Sequence, residues 1–149
     1  MAHSQGVGKV LLTGTVSDSH TWNLVFLELF VEELGHQVVN LGPCVPDDLL
    51  VRRCRIEAPD LVVVSSVNGH GYVDGLSAVT RLRAEPELAG VPMVIGGKLG
   101  LDGRDEADRA ARLRAAGFDA VFDDGDLLAF QRFLADLPAG ASTMVGRPA

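Results

Sequence analysis

The chain predicts a doubly wound α/β fold, a five-stranded parallel sheet with helices on both faces. Two observations carry this expectation. Short runs of Val, Leu and Ile recur along the sequence and are near-continuously apolar rather than alternating, as strands buried on both faces must be. Longer segments with helical spacing lie between them, so strand and helix alternate, and a parallel sheet with crossover helices is what such alternation builds.

The strand runs are Lys9–Gly14, Gln37–Leu41, Leu61–Ser65 and Pro92–Gly96, with a weaker fifth at Ala120–Phe122. The first helix is expected from Trp22 to Leu34, where Leu24, Leu27, Val31 and Leu34 share one side and Gly35 supplies the left-handed stop. Pro46 to Glu57, Tyr72 to Arg83, Arg104 to Ala116 and Asp126 to Leu137 read as the remaining helices, with Gly117 as a second stop. Residues 1–137 are therefore expected to form one domain, and 138–149 a disordered tail.

With 149 residues, 47% of them hydrophobic, the chain can bury one core. A net charge of −7 without any Lys/Arg cluster argues against nucleic-acid and membrane-surface partners, whose phosphates would repel this surface. No basic-then-apolar leader stands at Met1 to Gly8 and no stretch is apolar for long enough to span a bilayer, so a cytoplasmic protein is expected. Cys44 and Cys54 fit neither a CxxC pair nor a thiolate metal site and read as reduced, structural thiols.

In a sheet of this kind ligands bind over the carboxyl ends of the strands. The first loop there, Thr15 to Thr21, is polar throughout and contains Asp18 two residues before His20. A metal-bound imidazole commonly donates its second N–H to a carboxylate, which fixes the tautomer, and this pair is close enough to do so. The plainer alternatives are a helix N-cap for Asp18 and a solvated loop for His20. The third strand runs into Ser65-Ser66-Val67 and the fourth ends in Gly96-Gly97. Small residues there would leave a slot beside the sheet, or merely two tight turns.

Other chemistries fit less well. Asp18 would repel a flavin phosphate cradled by the first loop, and a phosphoacceptor receiver needs an Asp where Ser65 stands and a Lys where Phe122 stands. Gly6-Val7-Gly8-Lys9 precedes a strand and so is no phosphate loop. Asp18, His20, Cys44 and His70 all fall on loops of one edge, which keeps a zinc site in view.

The joint spacing is more specific. Asp18-Ser19-His20-Thr21-Trp22-Asn23, then 41 residues, Ser65-Ser66-Val67, then 28 residues, Gly96-Gly97, resembles the D-x-H-x-x-G, S-x-L, GG signature of cobalamin-binding domains. Val38-Val39-Asn40-Leu41-Gly42, Val45-Pro46, and Gly69 and Gly71 after Ser65-Ser66-Val67 are most similar to the small subunit of glutamate mutase, also called methylaspartate mutase. Asn23 replaces the motif glycine and Val67 the motif leucine, and Asp123-Asp124 stands near where the family holds the nucleotide tail.

The resemblance implies a flavodoxin-like, Rossmann-like cobalamin-binding fold and adenosylcobalamin as the cofactor, bound with its own benzimidazole swung away. It implies that His20 is the lower axial ligand of cobalt, and that the nucleotide tail threads a slot beside Ser65 and Gly96-Gly97. Ser65 would donate to the benzimidazole nitrogen, with Ser66 beside it, and Val67 would line the slot. Ser17, Asp18, Ser19 and Thr21, and the turn Gly97-Lys98-Leu99-Gly100, would flank corrin and tail, while Phe122 would cover the tail's end. It further implies an isomerase component, inactive alone, that works with a larger TIM-barrel subunit binding an amino-acid substrate, glutamate by resemblance. A corrinoid carrier of a methyltransferase and a cobalamin-free binding or signalling module are the competing readings. Segment Ser17–Asn23 is expected to be mobile without cofactor, for want of polar partners.

Overall fold

The computed structural model describes residues 8–99, 106–123 and 126–137. Five strands, β1 (Lys9–Gly14), β2 (Gln37–Asn40), β3 (Leu61–Ser66), β4 (Met93–Gly97) and β5 (Ala120–Asp123), form one parallel sheet in the order β2-β1-β3-β4-β5. They alternate with α1 (Trp22–Glu33), α2 (Asp47–Glu57), α3 (Gly71–Arg83), α4 (Glu106–Ala116) and α5 (Leu127–Asp136). The expected elements all form, with ends shifted by a residue or two. Gly100, Asp124, the proposed helix start at Arg104 and the tail 138–149 lie outside the described residues, as does the side chain of Asp123.

The continuous apolar runs divide between two cores because side chains alternate across a strand. Val10, Leu12, Leu61, Val63 and Val94 face α1 and α5, where they bury Leu24, Val31, Phe130 and Leu134. Leu11, Val62, Val64, Met93 and Ile95 face the other way, onto Leu50, Val51, Cys54, Val79, Leu82 and Leu113. The two glycine stops behave as expected: Gly35 and Gly117 follow their helices at φ of 100° and 140°. Helix α2 carries Asp47 and Asp48 in its first turn and Arg55 in its last, matching the helix dipole.

Helix α1 departs from the amphipathic expectation. Leu24 and Val31 are buried and Leu27 and Leu34 pack beside them, but the opposite side holds Trp22, Val25, Phe26 and Leu29, all exposed. Apolar side chains therefore extend beyond the one face of the helix that has a core to enter, with Glu28, Glu32 and Glu33 between them.

The strand order places the chain reversal between β1 and β3, so the loops after these two strands diverge. In register across the sheet's carboxyl edge stand Gly14, Ser65, Gly96 and Phe122, three small residues and one ring.

Candidate functional site: an apolar groove with a pinned histidine at the sheet edge

Small residues in that row open a groove of about 180 Å³ between α1 and α5. A cavity of ~150 Å³ accepts benzene in an apolar protein core, so there is room here for a flat ring. Ser65, Gly96 and Phe122 line the groove at the sheet, Asn23, Phe26 and Leu27 on α1, and Leu127 and Phe130 on α5, with Gly97 at the end of β4 and Val67 just past β3. Phe122 meets Phe130 and Phe133 edge-on, with centroids 5.6 and 6.0 Å apart, which fixes its ring.

The glycines are required sterically. A Cβ on Gly96 would come within 3.0 Å of the Phe122 carbonyl oxygen. Gly97 has φ of 113°, and a Cβ there would lie 2.1 Å from the Ser66 carbonyl oxygen, so the pair allows β3, β4 and the following turn to close up as they do.

The loop between β1 and α1 is organised by Asp18, whose residue is only 1% exposed. Its Oδ1 accepts from the backbone N–H of His20 at 2.9 Å and lies 2.6 Å from His20 Nδ1, while Oδ2 accepts from the N–H of Val67 at 2.7 Å. The Asp18 carbonyl accepts from Cys44 N–H at 2.9 Å. One carboxylate therefore ties together the loops after β1 and β3, and its backbone adds the loop after β2. Burial pushes the Asp18 carboxyl up, but the two N–H groups and the His20 ring outweigh it and hold it below the usual carboxylate range.

Of the alternatives left open by the sequence, the helix cap is removed: the N-cap of α1 is Thr21, without a side-chain cap bond, and Asp18 serves His20 and Val67 instead. His20 is held through Nδ1 while its side chain remains 59% exposed. An ionised carboxylate only accepts, so Nδ1 donates to Asp18 and Nε2 is the ring nitrogen turned away from it, the one that could hold a metal in the neutral tautomer.

The expectation that Ser17–Asn23 lacks polar partners is overturned. Ser17 Oγ donates to Asp74, Asn68 Nδ2 donates to Ser17 O and Oγ at 3.2 Å, Asp18 is saturated, and Trp22 and Asn23 already belong to α1. The loop is laced to its neighbours because Asn68, after β3, and Asp74, in the first turn of α3, both reach Ser17.

The remaining expected residues divide by position. Ser65, Val67, Gly96, Gly97 and Phe122 line the groove, and exposed Ser19, His20 and Thr21 stand on the loop that leads into α1. Ser66 lies on the opposite sheet face and donates to Asn68 Oδ1 at 3.1 Å. Leu99 is fully buried in the α3-side core and its carbonyl accepts from Tyr72 N–H at 3.0 Å, whereas Lys98 is exposed. Asp18, His20, Cys44 and His70 do not converge: among the described residues no group of three or more His, Cys, Asp or Glu could hold a metal. Asn23, which the sequence marks as the departure from the motif glycine, is a wall residue, and Phe26, Leu27, Leu127 and Phe130 are wall residues that the sequence reading missed. The spacing of Asn23, Phe26 and Leu27 on α1 was the available signal.

Fold and site together define a doubly wound domain with an apolar groove at the carboxyl edge of its sheet. The chain belongs to the B12 binding domain family, whose model matches residues 8–130. It is 30% identical over 118 residues to glutamate mutase sigma subunit 1 of Haloarcula marismortui, a match covering 77% of this chain and 76% of that protein. It is 31% identical over 113 residues to the glutamate mutase sigma subunit of Escherichia coli O157:H7, covering 75% of each.

The fold also matches a cobalamin-binding protein from Desulfitobacterium hafniense with a TM-score of 0.67 at 22% identity, covering 86% of this chain and 59% of that one. It matches the receiver domain of a Pseudomonas aeruginosa sensor histidine kinase with a TM-score of 0.64 at 19% identity, covering 88% and 97%. Among the described residues no helix is long and apolar enough to cross a membrane.

Proposed function

We propose that this chain is the cobalamin-binding small subunit of an adenosylcobalamin-dependent carbon-skeleton mutase of the glutamate mutase type. The observation that carries the reading is the imidazole of His20, pinned by the buried Asp18 carboxylate on the loop that leads into the apolar, glycine-floored groove. The donor set suits a corrin, which surrounds cobalt with its own equatorial nitrogens and needs one axial nitrogen from the protein.

In this reading His20 Nε2 would hold the cobalt, with Asp18 the positioning residue behind it. The groove between α1 and α5 would take the nucleotide tail. Val67, Phe26 and Leu27 would shield it from water, Gly96 and Gly97 would let it approach the backbone, and Phe122 would close the far end. Ser65 would offer its hydroxyl hydrogen to a ring nitrogen of the tail, since such a buried acceptor needs a partner. Ser17, Ser19, Thr21 and Lys98 would flank the cofactor mainly through backbone, whereas Ser66 and Leu99 face the other core and do not. When bound, the cofactor supplies the radical chemistry of the rearrangement.

The protein's contribution in this reading is placement and the axial nitrogen. A larger TIM-barrel subunit is therefore assigned the upper face of the corrin and the amino-acid substrate, glutamate. Its relatives among the glutamate mutase sigma subunits support this division of labour.

The test is a titration with adenosylcobalamin and hydroxocobalamin, followed by addition of a glutamate mutase large subunit and assay for 3-methylaspartate. Saturable binding, with isomerisation only in the mixture, is expected. Isomerisation by the small chain alone would refute the division of labour, and absence of binding would refute the cofactor.

A further inference from the structure

Asn23, the second residue of α1, stands where the family signature has glycine, and its side chain enters the groove wall. Its Nδ2 donates to Ser65 Oγ at 2.8 Å across 42 residues of sequence. Its Oδ1 is buried and, among the described residues, has no hydrogen-bond partner. A primary amide has two donor hydrogens and one acceptor oxygen, so placing the donor end on Ser65 leaves the acceptor unmet beside an apolar cavity. Such an atom is costly where it stands, and a ligand donor that met it would remove that cost on binding.

The same contact acts on Ser65. A hydroxyl that accepts from Asn23 keeps its own hydrogen free, and among the described residues Ser65 donates to no other group. The groove wall thus presents a hydroxyl donor and an amide acceptor joined by one hydrogen bond. An aromatic ring with a single acceptor nitrogen would satisfy only the first.

We propose that Asn23 is a specificity-determining residue for the nucleotide tail. Its Oδ1 accepts from an N–H or O–H of the bound nucleotide while its Nδ2 orients Ser65 toward the ring nitrogen. This rests on the cobalamin reading above. Two groups of the ligand could supply the donor, an exocyclic amine on the lower base or a ribose hydroxyl, and the choice of probe separates them.

The experiment measures the dissociation constants of cobalamin, whose benzimidazole has no N–H, and of a cobamide with adenine as its lower base. Native chain, Asn23→Gly and Asn23→Ala are compared, the alanine variant keeping helix propensity in case glycine loosens α1. A loss of about tenfold in both variants, the worth of one ordinary hydrogen bond, is expected. If it falls on the adenine cobamide alone, the donor is the base amine; if it falls equally on both, the donor is the ribose.

Variants that bind both probes as tightly as the native chain, or more tightly, would overturn the assignment and make Asn23 a mere obstruction. Native chain that binds neither probe would instead overturn the cobalamin reading, and this assignment with it.

Discussion

Replacing Asp18 by asparagine exchanges one oxygen for an NH2 group and removes a charge, with almost no change in shape. In the native chain one carboxylate oxygen serves two groups of His20 and the other serves the Val67 N–H. The amide has one acceptor. If its oxygen stays on His20, its NH2 faces the Val67 N–H and two donors are opposed in a buried site. If its oxygen turns to Val67, the NH2 faces His20 Nδ1, which must then accept, and the ring proton moves to Nε2.

Either orientation loses at least one charge-assisted hydrogen bond and leaves a buried donor unmet, about 2–3 kcal/mol. A domain of this size shifts its melting temperature by roughly 3–5 °C per kcal/mol, so a drop of about 6–15 °C is expected at pH 7. The folded protein holds Asp18 below its ordinary value of 3.8, so its contribution is complete above that pH and is lost as pH falls through the lower folded value. The gap between native and Asp18→Asn should therefore be constant near neutrality and begin to narrow only below about pH 4, closing as pH falls through the folded value. Thermal unfolding by circular dichroism at pH 7 and in steps from about pH 4 to 2 measures it. A variant melting within a degree of the native chain at pH 7, or a gap undiminished in acid, would refute the reasoning.

The remaining predictions concern other parts of the fold. Gly97→Ala puts a Cβ on the Ser66 carbonyl at a left-handed φ and should cost about 3 kcal/mol or more, read as a lowered urea midpoint; an unchanged midpoint would contradict the close approach of β3 and β4. Gly96→Val should fill the groove floor and weaken cobalamin binding by at least about tenfold while costing only about 1–3 kcal/mol of stability, and unaltered binding would place the tail elsewhere. Native protein should take one thiol label at exposed Cys44, because Cys54 is fully buried and burial pushes its thiol up to about 12; a second label without unfolding would contradict this. Burial lowers the His36 pKa, a nearby Asp60 only partly opposing it, so its contribution is present above the ordinary value of 6.5 and is lost as pH falls through the folded value. His36→Gln should flatten the stability profile between about pH 7 and 5, and an unchanged slope would exclude that role.

Both the sheet and the loop that carries His20 were legible because their signals are local. A doubly buried strand needs a continuous apolar run, and Leu61–Val64 can hardly be read otherwise. Asp18 and His20 lie two residues apart, so their contact required no knowledge of the rest of the chain. What could not be read depends on how elements meet. The contact between Asn23 and Ser65 exists because α1 descends across the end of β3, and nothing local to either residue announces it. The bond from Val67 N–H to Asp18 is of the same kind and is why the first loop is better satisfied than its composition suggested. For α1 the buried side was identified, but Trp22 at 81% exposed shows that an apolar residue on a helix need not face the core.

The most direct test of the central claim is electron paramagnetic resonance of the chain loaded with cobalamin and reduced to Co(II), prepared with ordinary and with 15N-labelled histidine. The account predicts axial nitrogen splitting whose pattern changes on labelling and disappears in His20→Gly. Splitting that ignores the label would leave the cofactor's own base on cobalt, and splitting that survives in His20→Gly would give the ligand to another residue; either result would contradict the account.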